Sequence, residues 1–203
     1  MMKLIFLQTI AILSSFQIKC VEALNIVLAG GTGSLAKTLI PKLHEHDVTV
    51  LCRNAFLAAA PARVSSDYGW VGQSFLDKNE HVKLRDWDGG DLLDIVGQDF
   101  LGWQEDALQK ADVVVNLVGG FTEQRVMATE RIIRESLRLN PSALQVCISP
   151  LEEELKRKVL IDRVKKCEDM YSGNCFNVSC LRLEYNREED ACASILDAIG
   201  NHA

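Results

Sequence analysis

The chain has 203 residues, of which 48% are apolar and 25% are charged. This length suffices for one domain with its own core and is too short for two domains of ordinary size. The formal net charge of −6 and the lack of a basic stripe argue against nucleic acid or an anionic membrane surface as the main partner.

The first 23 residues differ from the rest of the chain. A short basic start, Met1-Met2-Lys3, precedes an apolar run from Leu4 to Ile18, and Ala23 stands near its exit. This pattern is typical of a secretory signal peptide. A retained N-terminal helix, buried or interfacial, is the alternative, and the run is too short and too polar for a stable membrane span. We therefore expect a leader over residues 1–23 and a domain over residues 24–203.

A strand, a glycine turn and a helix open this domain. The apolar run 25–29 leads into Gly30-Gly31-Thr32-Gly33, and the apolar residues of the following segment share one helical face. The glycines let the backbone turn sharply and approach a ligand closely. The first N–H groups of the new helix favour an anion, so the pattern predicts a phosphate-binding turn.

Further strands and helices alternate along the rest of the chain. Apolar runs predict strands at 48–52, 81–84, 112–118, 144–148 and 177–183. Helical patterns lie at 55–60, in part of 92–109, at 123–139, from Pro150 to Tyr171 and around 191–199. This alternation predicts a single doubly wound α/β domain with a parallel sheet of about six strands. The glycine turn and Gly119-Gly120 then share the ligand-binding edge of the sheet.

The seven cysteines lack C-x-x-C spacing and lie mostly in apolar runs. We expect them to be core thiols rather than disulfides or metal ligands. We expect no metal site, because His44 and His46 lie in a loop with no apparent third ligand.

With these elements placed, the chain resembles the short-chain dehydrogenase/reductase superfamily, in its extended or atypical branch that includes nucleotide-sugar epimerases. The resemblance rests on Ala29-Gly30-Gly31-Thr32-Gly33-Ser34-Leu35-Ala36 and on the segments 48–54, 112–120 and 165–182. It implies a Rossmann-type domain that binds a nicotinamide dinucleotide. The implied cofactor-binding residues are Gly30, Gly31, Thr32, Gly33, Ser34 and Leu35 at the pyrophosphate, Arg53 and Asn54 after the second strand, Asp88 (or Asp86) near the adenine, and Val118 and Gly119 beside the adenosine ribose.

Arg53 bears on the choice of cofactor. NAD-binding proteins commonly place a carboxylate after the second strand, whereas a guanidinium there can pair with the 2′-phosphate of NADP. Here Arg53 stands at that point without an acid. We expect NADP, with NAD as the alternative cofactor; the alternative explanation of Arg53 is a solvated surface arginine.

The catalytic pair of the superfamily, Tyr-x-x-x-Lys, is missing. The three tyrosines are followed four residues later by Gly72, Cys175 and Glu189. Lys165 is the nearest counterpart of the family's lysine, but the position four residues before it is Ile161, which cannot transfer a proton. Ser149 follows the fifth strand as the family's serine does, and it is equally a candidate helix cap. Ser149 and Lys165 are therefore only weak catalytic candidates.

Three functions stay open. The first is an NADP-binding protein without orthodox dehydrogenase chemistry, with a binding, regulatory or redox-sensing role. The second is an atypical reductase or epimerase-like enzyme, although only about 20 residues follow the sixth strand to build a substrate region. The third is a Rossmann-shaped module that binds a protein partner or a second copy without a cofactor. The leader favours the secretory route or an organelle such as a plastid, whereas a nicotinamide cofactor favours cytosol or stroma.

Overall fold

The computed structural model describes residues 23–53, 55–59, 63–65, 69–70, 78–87, 102–119, 122–184 and 187–202. The predicted leader, apart from Ala23, lies outside these residues. Asn54 and Asp88, predicted at the cofactor site, also lie outside them.

The described strands are β1 (Asn25–Ala29), β2 (Asp47–Cys52), β3 (Arg63–Ser65), β4 (Gly69–Trp70), β5 (Val82–Asp86), β6 (Val113–Asn116), β7 (Leu144–Pro150) and β8 (Val178–Leu183). The main sheet has six parallel strands in the order β5-β2-β1-β6-β7-β8. A separate antiparallel pair, which the sequence did not predict, consists of β3 and β4.

Helices cover both faces of the sheet. Residues of α1 and α6 form one apolar core with the sheet, while residues of α3, α4 and α5 pack on the opposite face. The helices are α1 (Ser34–Leu39), α2 (Ala55–Ala59), α3 (Trp103–Leu108), α4 (Glu123–Leu139), α5 (Lys158–Asn174) and α6 (Glu188–Gly200), with 3₁₀ turns at Ile40–Leu43 and Glu152–Glu154. The predicted doubly wound parallel sheet is confirmed. No described helix combines the length and the apolar character needed to cross a membrane.

The strand order reverses direction between β1 and β6. Connections from β1 run outward through β2 to β5, and those from β6 run the other way to β8. The loops after β1 and β6 therefore leave a crevice at the carboxyl edge, which is where ligands bind in open α/β sheets. The glycine turn after β1 lies at this crevice.

Two predicted boundaries at the same edge are wrong. Arg85 and Asp86, which follow the end of the predicted strand 81–84, extend β5, because they pair with Leu51 and Cys52 of β2. An edge strand tolerates such charged residues since one of its sides stays in water.

Pro150, predicted to start a helix, instead ends β7. Proline removes a backbone donor, but β6 has already ended at Asn116, so Pro150 has only β8 as a neighbour. The helix α5 begins eight residues later, at Lys158. Val159, which lies inside the predicted helix, is therefore in the first turn of α5 and is 56% exposed.

Candidate functional site

Gly30 makes the turn after β1 and allows two strands to approach each other. Its φ angle is +77°, a left-handed conformation that side chains disfavour. A Cβ atom at Gly30 would lie 2.9 Å from the Val118 Cα atom and 3.0 Å from its nitrogen. Gly30 also donates a backbone hydrogen bond to the Leu51 carbonyl at 3.0 Å. Only glycine fits this position between the ends of β1, β2 and β6.

The two neighbouring glycines differ in what surrounds them. A Cβ atom at Gly31 would lie 2.8 Å from the Val50 Cγ1 atom, so this residue is held by core packing. A Cβ atom at Gly33 would meet nothing within 4 Å. Gly33 precedes α1 and accepts the Lys37 N–H at 3.1 Å. The turn therefore has an inner, packed side at Gly31 and an outer, open side at Gly33.

Two cavities flank this turn at the carboxyl edge of the sheet. The larger cavity has a volume of about 560 Å³ and lies toward β2 and β5. The smaller cavity has a volume of about 220 Å³ and lies toward β7, β8 and α6. Both are lined by Gly30, Gly33, Leu117, Gly119 and Arg125. Only the larger one falls in the range of roughly 300–1,000 Å³ that is usual for pockets holding a whole small ligand.

The larger cavity combines a cation with an aromatic wall. Arg53 lines it directly after β2, and Trp87 lines it directly after β5. The Trp87 ring is 3% exposed and packs edge-on against Trp103, with ring centroids 5.5 Å apart. The backbone N–H of Trp87 donates to the Cys52 carbonyl at 3.1 Å. This cavity therefore has a rigid wall and a positively charged rim.

The smaller cavity is lined by the ends of β6, β7 and β8. Its lining includes Ser149, Asn116, Glu184 and Glu188, together with apolar residues of α1. Ser149 is 2% exposed, and its Oγ atom lies 4.0 Å from the Cys147 Sγ atom. Because Ser149 belongs to β7 rather than to a helix start, the alternative role as a helix cap is excluded.

Arg125 lies in the first turn of α4 and borders both cavities. Its guanidinium is 3% exposed and donates hydrogen bonds to the carbonyls of Val118 and Ile148. It thereby joins the loop after β6 to the end of β7 and places a buried positive charge at the centre of the crevice. Sequence reasoning missed this residue, because an arginine near a helix start resembles an ordinary solvated residue.

Asn116, at the end of β6, fixes the loop that carries Val118 and Gly119. Its side-chain nitrogen donates to the Thr129 Oγ1 atom at 3.0 Å, and its side-chain oxygen accepts the Val118 N–H at 3.1 Å. Asn116 is fully buried. The loop facing Gly30 is therefore held by side-chain hydrogen bonds as well as by packing.

No protein family model matches the chain, and no curated protein matches it. Solved structures do resemble it. A "putative short-chain oxidoreductase" from Thermus thermophilus aligns with a TM-score of 0.59 and 14% identity, over 86% of this chain and 95% of that one. The fold is of the Rossmann type. The sequences have diverged so far that this likeness establishes the shared fold alone.

Two more structures share this Rossmann-type fold. The NADPH-dependent quinone oxidoreductase QOR2 of Escherichia coli, in complex with NADPH, aligns with a TM-score of 0.52 and 16% identity, over 84% of this chain and 53% of that one. A "putative NADH-flavin reductase" from Streptococcus pneumoniae aligns with a TM-score of 0.52 and 11% identity, over 89% of this chain and 95% of that one.

The Rossmann-type domain brings most of the predicted cofactor-binding residues together. Those that line one or both cavities are Gly30, Thr32, Gly33, Ser34, Leu35, Arg53, Val118 and Gly119. Gly31 is buried beneath the turn. Asp86, the second candidate near the adenine, accepts the Ala55 N–H at 2.6 Å and so holds the start of α2.

The two weak catalytic candidates lie apart. Ser149 lines the smaller cavity, whereas Lys165 is exposed on α5, outside both cavity linings, with its Nζ atom 3.3 Å from the Glu152 carboxylate. Tyr171 of α5 is fully buried, and burial raises the pKa of its phenol well above the ordinary value. Neither Lys165 nor Tyr171 is placed to move a proton in the crevice.

Proposed function

We propose that the domain binds a nicotinamide dinucleotide across the glycine turn, with NADP(H) preferred, as an atypical relative of the short-chain dehydrogenases/reductases. One observation carries the proposal: the turn at Gly30 and Gly33 opens between two cavities at the point where the strand order reverses. The NADPH complex of the structurally similar QOR2 supports it.

The residues present fit such a ligand. Gly33 leaves open space on the outer side of the turn, where the pyrophosphate would approach the backbone of Thr32, Ser34 and Leu35. The larger cavity suits the adenosine half, with Val118 and Gly119 beside the ribose. The smaller cavity is left for the nicotinamide half, which is the part of the cofactor that carries hydride chemistry.

The preference for NADP rests on Arg53. It lines the larger cavity directly after β2, and neither of the two residues that follow this strand, Arg53 and Asn54, is an acid that could accept a bond from a ribose hydroxyl. Asp86, at the end of the neighbouring strand β5, accepts the Ala55 N–H. A guanidinium at this point can bind a 2′-phosphate through two parallel hydrogen bonds.

We place the function in binding rather than in orthodox dehydrogenase chemistry. The sequence has no Tyr-x-x-x-Lys, and neither the buried Tyr171 nor the ion-paired Lys165 can replace that pair. Cofactor occupancy would then serve a regulatory or redox-sensing role.

An atypical reductase or epimerase-like enzyme is the second candidate, favoured by one observation. Ser149 and Arg125 both line the smaller cavity, which we assign to the nicotinamide half. A hydroxyl and a fixed cation suffice to polarise a small carbonyl substrate. Turnover of NADPH with a carbonyl substrate, lost in Ser149→Ala but kept in Lys165→Ala, would favour this candidate.

Calorimetric titration with NADPH and with NADH tests the proposal. We expect tighter binding of NADPH, and a loss of about 10- to 100-fold in its affinity in Arg53→Ala, with little change for NADH. Lys110→Ala is the matched control, because Lys110 is an exposed cation just before β6, at the opposite edge of the sheet. Its affinities should equal those of the wild type.

Each outcome separates the candidates. No binding of either nucleotide at millimolar concentration contradicts the proposal and favours the interaction module without a cofactor. Equal affinities for NADPH and NADH, unchanged by Arg53→Ala, contradict only the preference for NADP and leave the proposed dinucleotide binding in place.

A further inference from the structure

Two cysteines face each other across β7 and β8, the last two strands on one side of the sheet. Cys147 of β7 and Cys180 of β8 are register partners in the parallel ladder. Neighbouring strands lie about 4.8 Å apart, and register partners point to the same face of the sheet. A disulfide needs Cα atoms roughly 4.4–6.8 Å apart, and the spacing of neighbouring strands meets this requirement.

The two thiols influence each other's pKa and differ in access to solvent. Cys147 is fully buried in the core between α4 and α5, whereas Cys180 is exposed on the edge strand. The prediction that all the cysteines are core thiols is therefore wrong for Cys180, since β8 has a neighbour on only one side. Because only one of the two thiols is exposed, they react in a fixed order. The exposed Cys180 reacts with the oxidant first, and the buried Cys147 then reacts with the oxidised Cys180.

The surroundings favour the thiolate at Cys180. The hydrogen bond with Cys147, assisted by one with Ser172, lowers the pKa of Cys180 to about 7. The same contact with Cys180, together with burial, raises the pKa of Cys147 far above its ordinary value. The thiolate is therefore favoured at Cys180, while Cys147 keeps its proton.

A third cysteine lies nearby but is less suited to react. Cys175, just after α5, is half-buried, and burial raises the pKa of its thiol to about 11. It has no register partner in the sheet, because it lies in the loop before β8. Cys147 is therefore the partner that the fold aligns with Cys180.

We propose that Cys147 and Cys180 form a reversible oxidation site that closes into a cross-strand disulfide in the presence of a hydroperoxide. The site does not depend on nucleotide binding. The site is nevertheless close to the smaller cavity, because Ser149, which lines that cavity, lies two residues beyond Cys147 on the same strand.

The chemistry balances in two steps. With hydrogen peroxide, the Cys180 thiolate attacks one oxygen, so that an S–O bond forms and the O–O bond breaks; the leaving hydroxide takes a proton and becomes water. The Cys147 sulfur then attacks the sulfur of the resulting sulfenic acid: the S–S bond forms, the S–O bond breaks, and the Cys147 proton leaves with the hydroxyl group as a second water. Two thiols lose two electrons in total, and one hydroperoxide is reduced.

The test is peptide mapping of the full chain after treatment with a small excess of hydrogen peroxide. Digestion with trypsin and chymotrypsin separates Cys180 from Cys175, because Phe176 lies between them. We expect a crosslinked peptide pair joining Cys147 to Cys180, lighter by two hydrogens and restored by dithiothreitol.

The peptide map of the wild-type chain tests the proposal by itself, and variants then show which cysteines are required. Cys180→Ser should remove the crosslink and slow peroxide consumption about tenfold or more, whereas Cys175→Ser should leave both unchanged. Accumulation of sulfinic acid at Cys180 while Cys147 stays a thiol would overturn the proposal. A crosslink from Cys180 to Cys175, or between two chains, would overturn it as well.

Discussion

Replacing Gly30 by alanine should destabilise the fold strongly. A side chain at a φ of +77° costs about 1–2 kcal/mol by itself. The new Cβ atom would also meet Val118 backbone atoms at 2.9 and 3.0 Å, which forces the end of β6 to shift. That shift threatens the hydrogen bond from the Leu117 N–H to the Ala29 carbonyl, 2.8 Å long and worth about 1 kcal/mol.

Together these costs amount to about 2–4 kcal/mol, a large part of the 5–15 kcal/mol typical of a domain. Urea unfolding followed by circular dichroism measures the loss. With a slope near 2 kcal/mol/M, the midpoint should fall by about 1–2 M. The thermal midpoint should fall by about 4–16 °C.

Gly33→Ala is the matched control. Its Cβ atom would enter open space at a φ of −76°, so the unfolding free energy should change by less than about 1 kcal/mol. If the pyrophosphate lies there, the affinity for NADPH should nevertheless drop. An unchanged midpoint in Gly30→Ala, or equal losses in both variants, would refute the argument that the turn has a packed and an open side.

Three further predictions concern neighbouring parts of the molecule. Trp87 lines the larger cavity, so NADPH should quench tryptophan fluorescence, and Trp87→Phe should remove most of that quenching; an undiminished signal contradicts this placement. Gln104 is fully buried and its side-chain amide has no hydrogen-bond partner within the described part of the chain. Gln104→Met should therefore raise the unfolding free energy by about 1–2 kcal/mol, and a lower midpoint in urea contradicts this. The alkylation rate of Cys180 by iodoacetamide should rise with pH around a midpoint near 7, because the thiolate is the nucleophile. Its contacts with Cys147 and Ser172 lower this pKa while Glu168 raises it, and Arg182→Ala should move the midpoint upward because the Arg182 charge also lowers the pKa of Cys180. A midpoint near the ordinary thiol value would contradict the assigned contacts.

The sequence was sufficient for features that depend on local patterns. The glycine turn, the order along the chain of the six strands in the parallel sheet, and the bounds of α4 follow from apolar periodicity and turn residues, and the structure confirms them. The sequence also placed Arg53 after β2, where it lines the larger cavity. Such residues are fixed by their distance along the chain from a strand end, which a single sequence reveals.

Other features depend on which strands become neighbours. Pro150 extends β7 because β6 ends early, and Cys180 meets Cys147 because β8 pairs with β7 in one particular register. Arg125 becomes buried only when the loop after β6 and the end of β7 come together around it. None of these contacts follows from residue types or spacing.

In the proposed complex, the glycine turn holds a dinucleotide between the two cavities. Titration of the isotopically labelled protein with NADPH, followed by backbone amide chemical shifts, measures this contact residue by residue. We expect large shifts at Thr32, Gly33, Ser34 and Gly119, and none at Lys110 on the opposite edge of the sheet. Saturating NADPH that leaves the amides of the turn unchanged would contradict the proposed binding.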